Sequence, residues 1–340
     1  MERWCFGVGK RGVTEIVPGG TRSKTACISR VEFRSEDFHA ERQRSDLMAR
    51  LLIVDGHAYA YRAFHAIREL RSPAGQPTNA IYGFVKMLAK MRTQVSPTHL
   101  IVVWDGGLNA DRTTAWPEYK AQRPEMPDDL SSQLDGIVEY LQAAGIASFC
   151  QDGVEADDYI ACLARRAVES GMEVIVASSD KDFMQLVSPG VGLLNPNDRT
   201  ETIWGDEQVR NKAGVEPSQV VDWLSLVGDS VDNIPGVSGV GPKTAADLLK
   251  QFGSVSSLYS RLTEVKSERL RGALQSAQSD VRRNQELVRL KEDLPCKFSV
   301  PELAPGSGNT ARLAELFRRW GFKGMLTELE MSRSRQEALL

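Results

Sequence analysis

The chain has 340 residues, 41% hydrophobic and 26% charged, with a formal net charge of −3. Such a composition is ordinary for a soluble globular protein of about two domains and excludes collagen-like or wholly disordered chains. No stretch approaches the roughly 18 uncharged apolar residues of a membrane span, and the first twenty residues lack a signal-peptide core.

Residues 1–47 carry scattered Gly, Ser, Thr, Arg and Glu without a sustained period, and a poorly ordered N-terminal extension is expected there. Leu51-Leu52-Ile53-Val54 is a short apolar run ending in Asp55, as in a buried parallel strand. Ile81, Phe84, Val85, Leu88 and Met91 fall at helical spacing. Residues 100–104 form a second strand, which also ends in an aspartate, Asp105. A polar stretch runs to about Pro127, followed by a helix over 130–144, a strand at 146–149 and a helix over 156–170. Residues 174–177 are a further strand that runs into Ser178-Ser179-Asp180-Lys181-Asp182. This alternation predicts an α/β core over 48–205 with a parallel sheet and right-handed crossovers. Beyond 205 the chain turns mainly helical, with helices over 217–227, 242–252 and 311–320, a Pro/Gly/Ser-rich connector at 301–310 and a tail at 326–340.

In open parallel sheets, ligands bind beyond the carboxyl ends of the strands. Asp55, Asp105 and the Asp180/Asp182 pair should therefore converge on one edge, where Glu155, Asp157, Asp158, Asp229 and Asp232 can join them. Singly, each acid fits an ordinary role as a helix cap, a dipole partner or a solvated turn. Together at strand ends they need compensating charge, because like charges raise one another's pKa. Oxygen-only ligands without nearby His or Cys suit Mg²⁺ or Mn²⁺ rather than zinc. Withdrawing nine acids into such a site takes the formal charge from −3 to +6, so bulk charge does not argue against a nucleic-acid partner. The five cysteines (Cys5, Cys27, Cys150, Cys162, Cys296) are scattered and form no CxxC pair, which points to a reduced, cytoplasmic protein.

Several of these residues sit in blocks with a further meaning. Val54-Asp55-Gly56-His57 with Tyr61-Arg62-Ala63-Phe64-His65 is followed by Val103-Trp104-Asp105 and by Pro117-Glu118-Tyr119-Lys120-Ala121-Gln122-Arg123-Pro124. Then come Gly153-Val154-Glu155-Ala156-Asp157-Asp158, Ser179-Asp180-Lys181-Asp182, Gly228-Asp229-Ser230-Val231-Asp232-Asn233-Ile234-Pro235-Gly236 and Gly239-Val240-Gly241-Pro242-Lys243-Thr244-Ala245. In this order they resemble the bacterial 5′→3′ exonuclease family. That family includes the 5′ nuclease domain of DNA polymerase I, phage 5′ exonucleases and, more distantly, flap endonucleases. The likeness covers about residues 50–325.

The resemblance implies a PIN-like parallel-sheet nuclease core, then a helical DNA-binding region over 206–325 with a helix-three-turn-helix and a glycine hairpin. All nine acidic positions of the family pattern are filled. By that likeness Asp55, Asp105, Glu155 and Asp157 surround one Mg²⁺ or Mn²⁺, and Asp158, Asp180, Asp182, Asp229 and Asp232 the second. Residues 106–127 become an arch or clamp for a 5′ single strand. In it Lys120 approaches the scissile phosphate, Arg62 and Arg123 hold nearby phosphates, Tyr119 stacks on a base and Arg112 contacts DNA. The family's aromatic before that arginine is Asp111 here, whereas Trp116 keeps the aromatic further on. Gly239 and Gly241 let backbone amides approach a phosphate at a helix N-terminus, with Lys243 and Thr244 beside them. The glycines alone equally fit a tight turn between packed helices. The likeness further implies K⁺ at this hairpin.

The expected activity is divalent-metal-dependent hydrolysis of DNA phosphodiesters near a duplex–5′ single-strand junction, without a covalent intermediate. No polymerase domain follows within the chain, so a separate DNA polymerase is an expected partner of a monomeric enzyme of replication or repair. Two rivals stand beside it: a junction-binding protein without turnover, and a PIN-type ribonuclease.

Overall fold

The structure is a computed structural model that describes residues 49–337 apart from 199, 296 and 297; the expected N-terminal extension lies outside the described residues. Strand β1 (Arg50–Asp55) leads into helices α1 (Gly56–Ala66) and α2 (Asn79–Val95), then β2 (His99–Val103), α3 (Ala110–Ala115), α4 (Asp128–Ala143) and β3 (Ala147–Phe149). Next come α5 (Ala156–Glu169), β4 (Glu173–Ala177), a 3-10 turn (Lys181–Leu186), β5 (Val191–Leu194) and β6 (Ile203–Trp204). Helices α6 (Asp206–Ala213) and α7 (Val220–Val227) precede a small hairpin of β7 (Gly228–Asp229) and β8 (Ile234–Pro235). The chain then runs through α8 (Pro242–Phe252), α9 (Val255–Ser260), α10 (Glu268–Ser276), α11 (Gln278–Val288), α12 (Thr310–Trp320) and α13 (Lys323–Glu337).

The sheet has the order β3-β2-β1-β4-β5-β6. Strands β1 to β5 are parallel and β6 closes the edge antiparallel. Leu52 pairs with Leu100 on one side and Ile175 on the other. Successive strand residues point to opposite faces, yet Leu51, Leu52, Ile53 and Val54 are all fully buried. Both faces are therefore covered, which is why the strand reads as an unbroken apolar run rather than an alternation. The chain builds outward from β1 to β3, then returns to add β4 and β5 on the other side of β1. The strand order reverses between β1 and β4, and the crevice above their carboxyl ends is where an open α/β sheet takes its ligand.

Asp55 closes β1 and Asp180 follows β4, so both stand at this crevice. Val176 and Phe183 belong to the same buried cluster as Val221, Leu224, Leu249 and Leu287, and the chain from Ala49 onward is one unit.

Three local details depart from expectation. The helix expected over 217–227 opens as a 3-10 turn, Pro217–Gln219, before α7. The polar stretch after Asp105 contains α3, too short for a periodic signal and started by Asn109, whose Oδ1 accepts from Asp111 N at 2.9 Å. The expected tail is mostly α13: beyond the buried Met325, Leu326 and Leu329 are half-buried, and Glu328 and Glu330 pair with Lys86 (3.5 Å) and Arg318 (3.2 Å). Among the described residues no helix is long and apolar enough to cross a membrane.

Candidate metal and phosphodiester site

Asp55 serves two purposes at the end of β1. Its Oδ1 caps α1 by accepting from Ala58 N (3.0 Å), and its Oδ2 accepts from Ser178 Oγ (2.8 Å). Ser178 Oγ also accepts from Asp180 N (3.1 Å), so one buried hydroxyl ties the two strand ends together. Burial pushes Asp55 up to about 6, with the Asp180 and Asp105 charges acting in the same direction. Asp105, just past β2, accepts from Gly107 N (3.0 Å), while its own N–H donates to His57 Nδ1 (3.1 Å). Burial lowers the His57 pKa and favours the neutral ring this bond requires.

Asp180 caps the 3-10 turn by accepting from Asp182 N (2.9 Å). Asp229 and Asp232 come from the β7–β8 hairpin, whose backbones touch where only glycine fits. A Cβ on Gly236 would lie 2.0 Å from Val227 O, and Gly228 has φ +76° with Gly236 N 2.3 Å from its would-be Cβ. This close turn carries Asp229 and Asp232 to Asp182, and the three offer oxygens all within 4.8 Å of one another. Asp182 Oδ1 is buried there without a hydrogen-bond partner. Burial, then Asp180, drives Asp157 and Asp182 well above the usual carboxylate range, and Asp180 is itself raised, first by burial and then by Asp232 and Asp229. Such a site is complementary to cations, and its donor set is all oxygen.

Basic residues of the arch segment close the site from another side. The Lys120 side chain is buried, with Nζ 3.4 Å from Glu155 Oε2 and 4.0 Å from Asp232 Oδ2. Burial alone would lower its pKa, but Asp157, Glu155 and Asp232 outweigh it and raise it, so Lys120 stays charged. Burial would likewise raise Glu155, yet Lys120 and Arg112 hold it below the usual range. Arg123 Nη2 donates to Asp232 Oδ1 (2.5 Å) with 38% of its side chain exposed. Lys181 reaches Asp229 at 3.1 Å.

Three expected site residues are placed differently from the sequence reading. Arg112 is not on a DNA-facing surface: it is 4% exposed, and its guanidinium donates to both Asp158 oxygens (2.9 and 2.7 Å), to Glu155, to Leu287 O (3.0 Å) and to Arg289 O (2.9 Å). Asp158, expected among the metal ligands, is spent on Arg112 and on Lys291 N (3.0 Å). Tyr119, expected to stack on a base, is 3% exposed and donates its hydroxyl to Glu155 (3.2 Å). For all three the physical reason is shared: a buried carboxylate takes the nearest donor the packing supplies, and that donor is remote in sequence. Arg62, expected to hold a phosphate, is exposed and donates to Asn197 Oδ1 (2.5 Å).

Seven of the nine acids, Asp55, Asp105, Asp157, Asp180, Asp182, Asp229 and Asp232, act on one another's charge. Glu155 joins them through Lys120, and Asp158 backs Arg112. Ser178, His57 and Asn109 were not singled out from the sequence. Asn109 donates from its N–H to Glu155 (3.2 Å) besides capping α3. At the glycine hairpin, Gly239 has φ +79°, a Cβ on either Gly239 or Gly241 would meet open space, Lys243 is exposed and Thr244 half-buried in the first turn of α8.

Residues 50–214 match the family model for the 5′–3′ exonuclease N-terminal resolvase-like domain, and residues 215–311 match that for the 5′–3′ exonuclease C-terminal SAM fold. The 5′–3′ exonuclease of Aquifex aeolicus is 38% identical over 283 residues, 83% of this chain and 96% of that protein. DNA polymerase I of Bacillus caldotenax is 38% identical over 290 residues, 85% of this chain but 33% of the polymerase, so the chain spans about a third of that relative. The bacteriophage T5 flap endonuclease, solved with DNA and metal ions, shares the fold at a TM-score of 0.59 with 24% identity, covering 70% of this chain and 88% of that one. Two consecutive family models and a relative matched along nearly its whole length lead to one conclusion: the chain belongs to the 5′–3′ exonuclease family.

Proposed function

We propose that the chain is a divalent-metal-dependent 5′→3′ exonuclease and 5′ flap endonuclease, cutting DNA phosphodiesters where duplex meets a 5′ single strand. One observation carries the reading above others: the buried, unpartnered Asp182 Oδ1 beside Asp229 and Asp232. A buried carboxylate oxygen without a donor calls for a cation. Asp182, Asp229 and Asp232 would hold one Mg²⁺ or Mn²⁺, and Asp55, Asp105 and Asp157 a second, with Asp180 between the two groups. When bound, two such ions activate water and stabilise the departing oxygen.

The chain's own residues supply the rest. Lys120, kept charged by its acidic neighbours, offers a fixed positive charge where the phosphodiester gains negative charge. Arg123, oriented by Asp232 and partly exposed, grips an adjacent phosphate. Glu155 and Tyr119 hold Lys120 in place from below. The open Gly239 and Gly241 amides with Lys243 and Thr244 bind duplex backbone without reading its sequence, and K⁺ at that turn belongs to the same proposal. The 5′–3′ exonuclease relative supports this reading, as do the neighbours solved with DNA and metal ions. A cytoplasmic monomer that acts on DNA with 5′ ends or flaps, beside a separate DNA polymerase, completes it.

The test follows end-labelled 5′-flap DNA with Mg²⁺ or EDTA, comparing wild type with Asp180→Asn. Metal-dependent cutting near the junction, lost in the variant, is expected. Binding without cutting by folded wild type would leave a junction-binding protein, and preference for a matched RNA strand would leave a ribonuclease.

A further inference from the structure

The segment carrying Lys120 and Arg123 and the hairpin carrying Asp229 and Asp232 are joined by hydrogen bonds with no part in the chemistry above. Trp116 Nε1 donates to Asn233 O (2.9 Å), Asn233 Nδ2 donates to Glu118 O (2.9 Å), and Lys120 N donates to Asp232 O (3.0 Å). Both segments turn through left-handed backbone at this seam, with φ +56° at Lys120 and +57° at Asn233. Non-glycine residues hold that conformation where the surroundings enforce it.

The Trp116 ring is half-buried, and the Arg283 guanidinium of α11 lies over it, 4.1 Å from the ring centroid. The next residue of α11, Asn284, is fully buried and donates to Ser225 O (3.1 Å) and Pro235 O (2.8 Å), at the two ends of the same hairpin region. One indole thus touches the lysine segment's neighbour, the aspartate hairpin and the helix that braces both.

We propose that Trp116 is a positioning residue that keeps Lys120 and Arg123 in register with Asp232, and that the ring face under Arg283 does not stack on a nucleobase. A ring face covered by Arg283 is closed to a base, and the indole N–H is committed to Asn233. The inference rests on the nuclease function proposed above.

Trp116→Phe keeps a smaller ring beneath Arg283 and removes the indole N–H with part of the ring's packing. Asn233→Gly tolerates the positive φ and removes the side chain that carries Nδ2. Both are measured for kcat and KM on 5′-flap DNA with Mg²⁺, for flap Kd in EDTA, and for hydrogen exchange of the peptide containing the Lys120 amide without DNA. For Trp116→Phe, kcat falls about tenfold, the equivalent of one hydrogen bond, while KM and Kd stay within about twofold. Exchange at the Lys120 amide quickens by about the same factor. Asn233→Gly moves both in the same direction, and the double variant falls short of the product of the singles, because both act on one seam. A raised KM and Kd with unchanged kcat would overturn the proposal in favour of base stacking. A lowered Tm with unchanged kcat and unchanged exchange would overturn it in favour of bulk packing. If wild type cuts no flap DNA, the proposed function falls, and amide exchange alone then decides the seam: unaltered protection in Trp116→Phe overturns it.

Discussion

Replacing Arg112 by methionine removes a guanidinium that spends its donors on the buried Asp158, Glu155 and Leu287 and on Arg289 O. Glu155 keeps Lys120 and Tyr119, but Asp158 is left with Lys291 N at 3.0 Å and a long contact from Asn109 at 3.5 Å. Removing one partner of a buried pair costs about 3–5 kcal/mol, and the orphaned Leu287 carbonyl argues for the upper end. At a urea m-value near 3 kcal/mol/M, the midpoint should fall by about 1–2 M. Replacing both members, Arg112→Met with Asp158→Leu, should recover a large part of that loss, because an apolar pair carries no unpaired charge. The assay is equilibrium urea unfolding of wild type, both singles and the double, with flap Kd measured on each folded protein. An unmoved midpoint in Arg112→Met, together with weakened flap binding, would refute the buried staple and return Arg112 to the DNA surface.

Further outcomes follow from the same geometry. Asp55 binds its proton more tightly folded than unfolded, so its contribution to metal-free stability falls as pH climbs from about 4 and levels off above about 6. The shift from 3.8 to about 6 is worth about 3 kcal/mol, and Asp55→Asn should flatten that slope in EDTA; an equal slope in both proteins contradicts it. Asp182→Asn removes one of several mutually repelling charges, so Tm in EDTA should rise by about 2–4 °C while the Mg²⁺-induced rise disappears. A retained Mg²⁺ response would take Asp182 out of the metal set. Lys120→Met should lower kcat by on the order of 10²–10³ with flap Kd little changed, and a loss confined to Kd would make Lys120 only a binding contact. Gly236→Ala drives a Cβ to 2.0 Å from Val227 O, so the β7–β8 hairpin must open; Mg²⁺ titration by thermal shift should show weakened binding, and wild-type affinity would contradict this.

Local chemistry carries far at the sheet. An apolar run closing on Asp55, and another leading into Asp180, can be read as parallel strands, and parallel strands deliver their carboxyl ends to one edge. The convergence of distant acids follows from that pattern alone. So does the turn at Gly239–Gly241, because positive φ and an open helix start are properties of a few adjacent residues.

Partner choice inside the site does not follow from local pattern. Asp157 and Asp158 are neighbours of identical chemistry on α5, yet one faces the carboxylate cluster and the other a guanidinium. A helix turns about 100° per residue, so adjacent side chains leave it in different directions, and what meets each is decided by what packs there. For Asp158 that is Arg112, 46 residues away, itself held by carbonyls at the end of α11, 175 and 177 residues distant. The same packing buries Tyr119 and lays Arg283 over the ring of Trp116. Strand ends and turns are set by short-range periodicity and backbone sterics. The pairing of buried charges depends on desolvation, which exists only once the helices have closed over them.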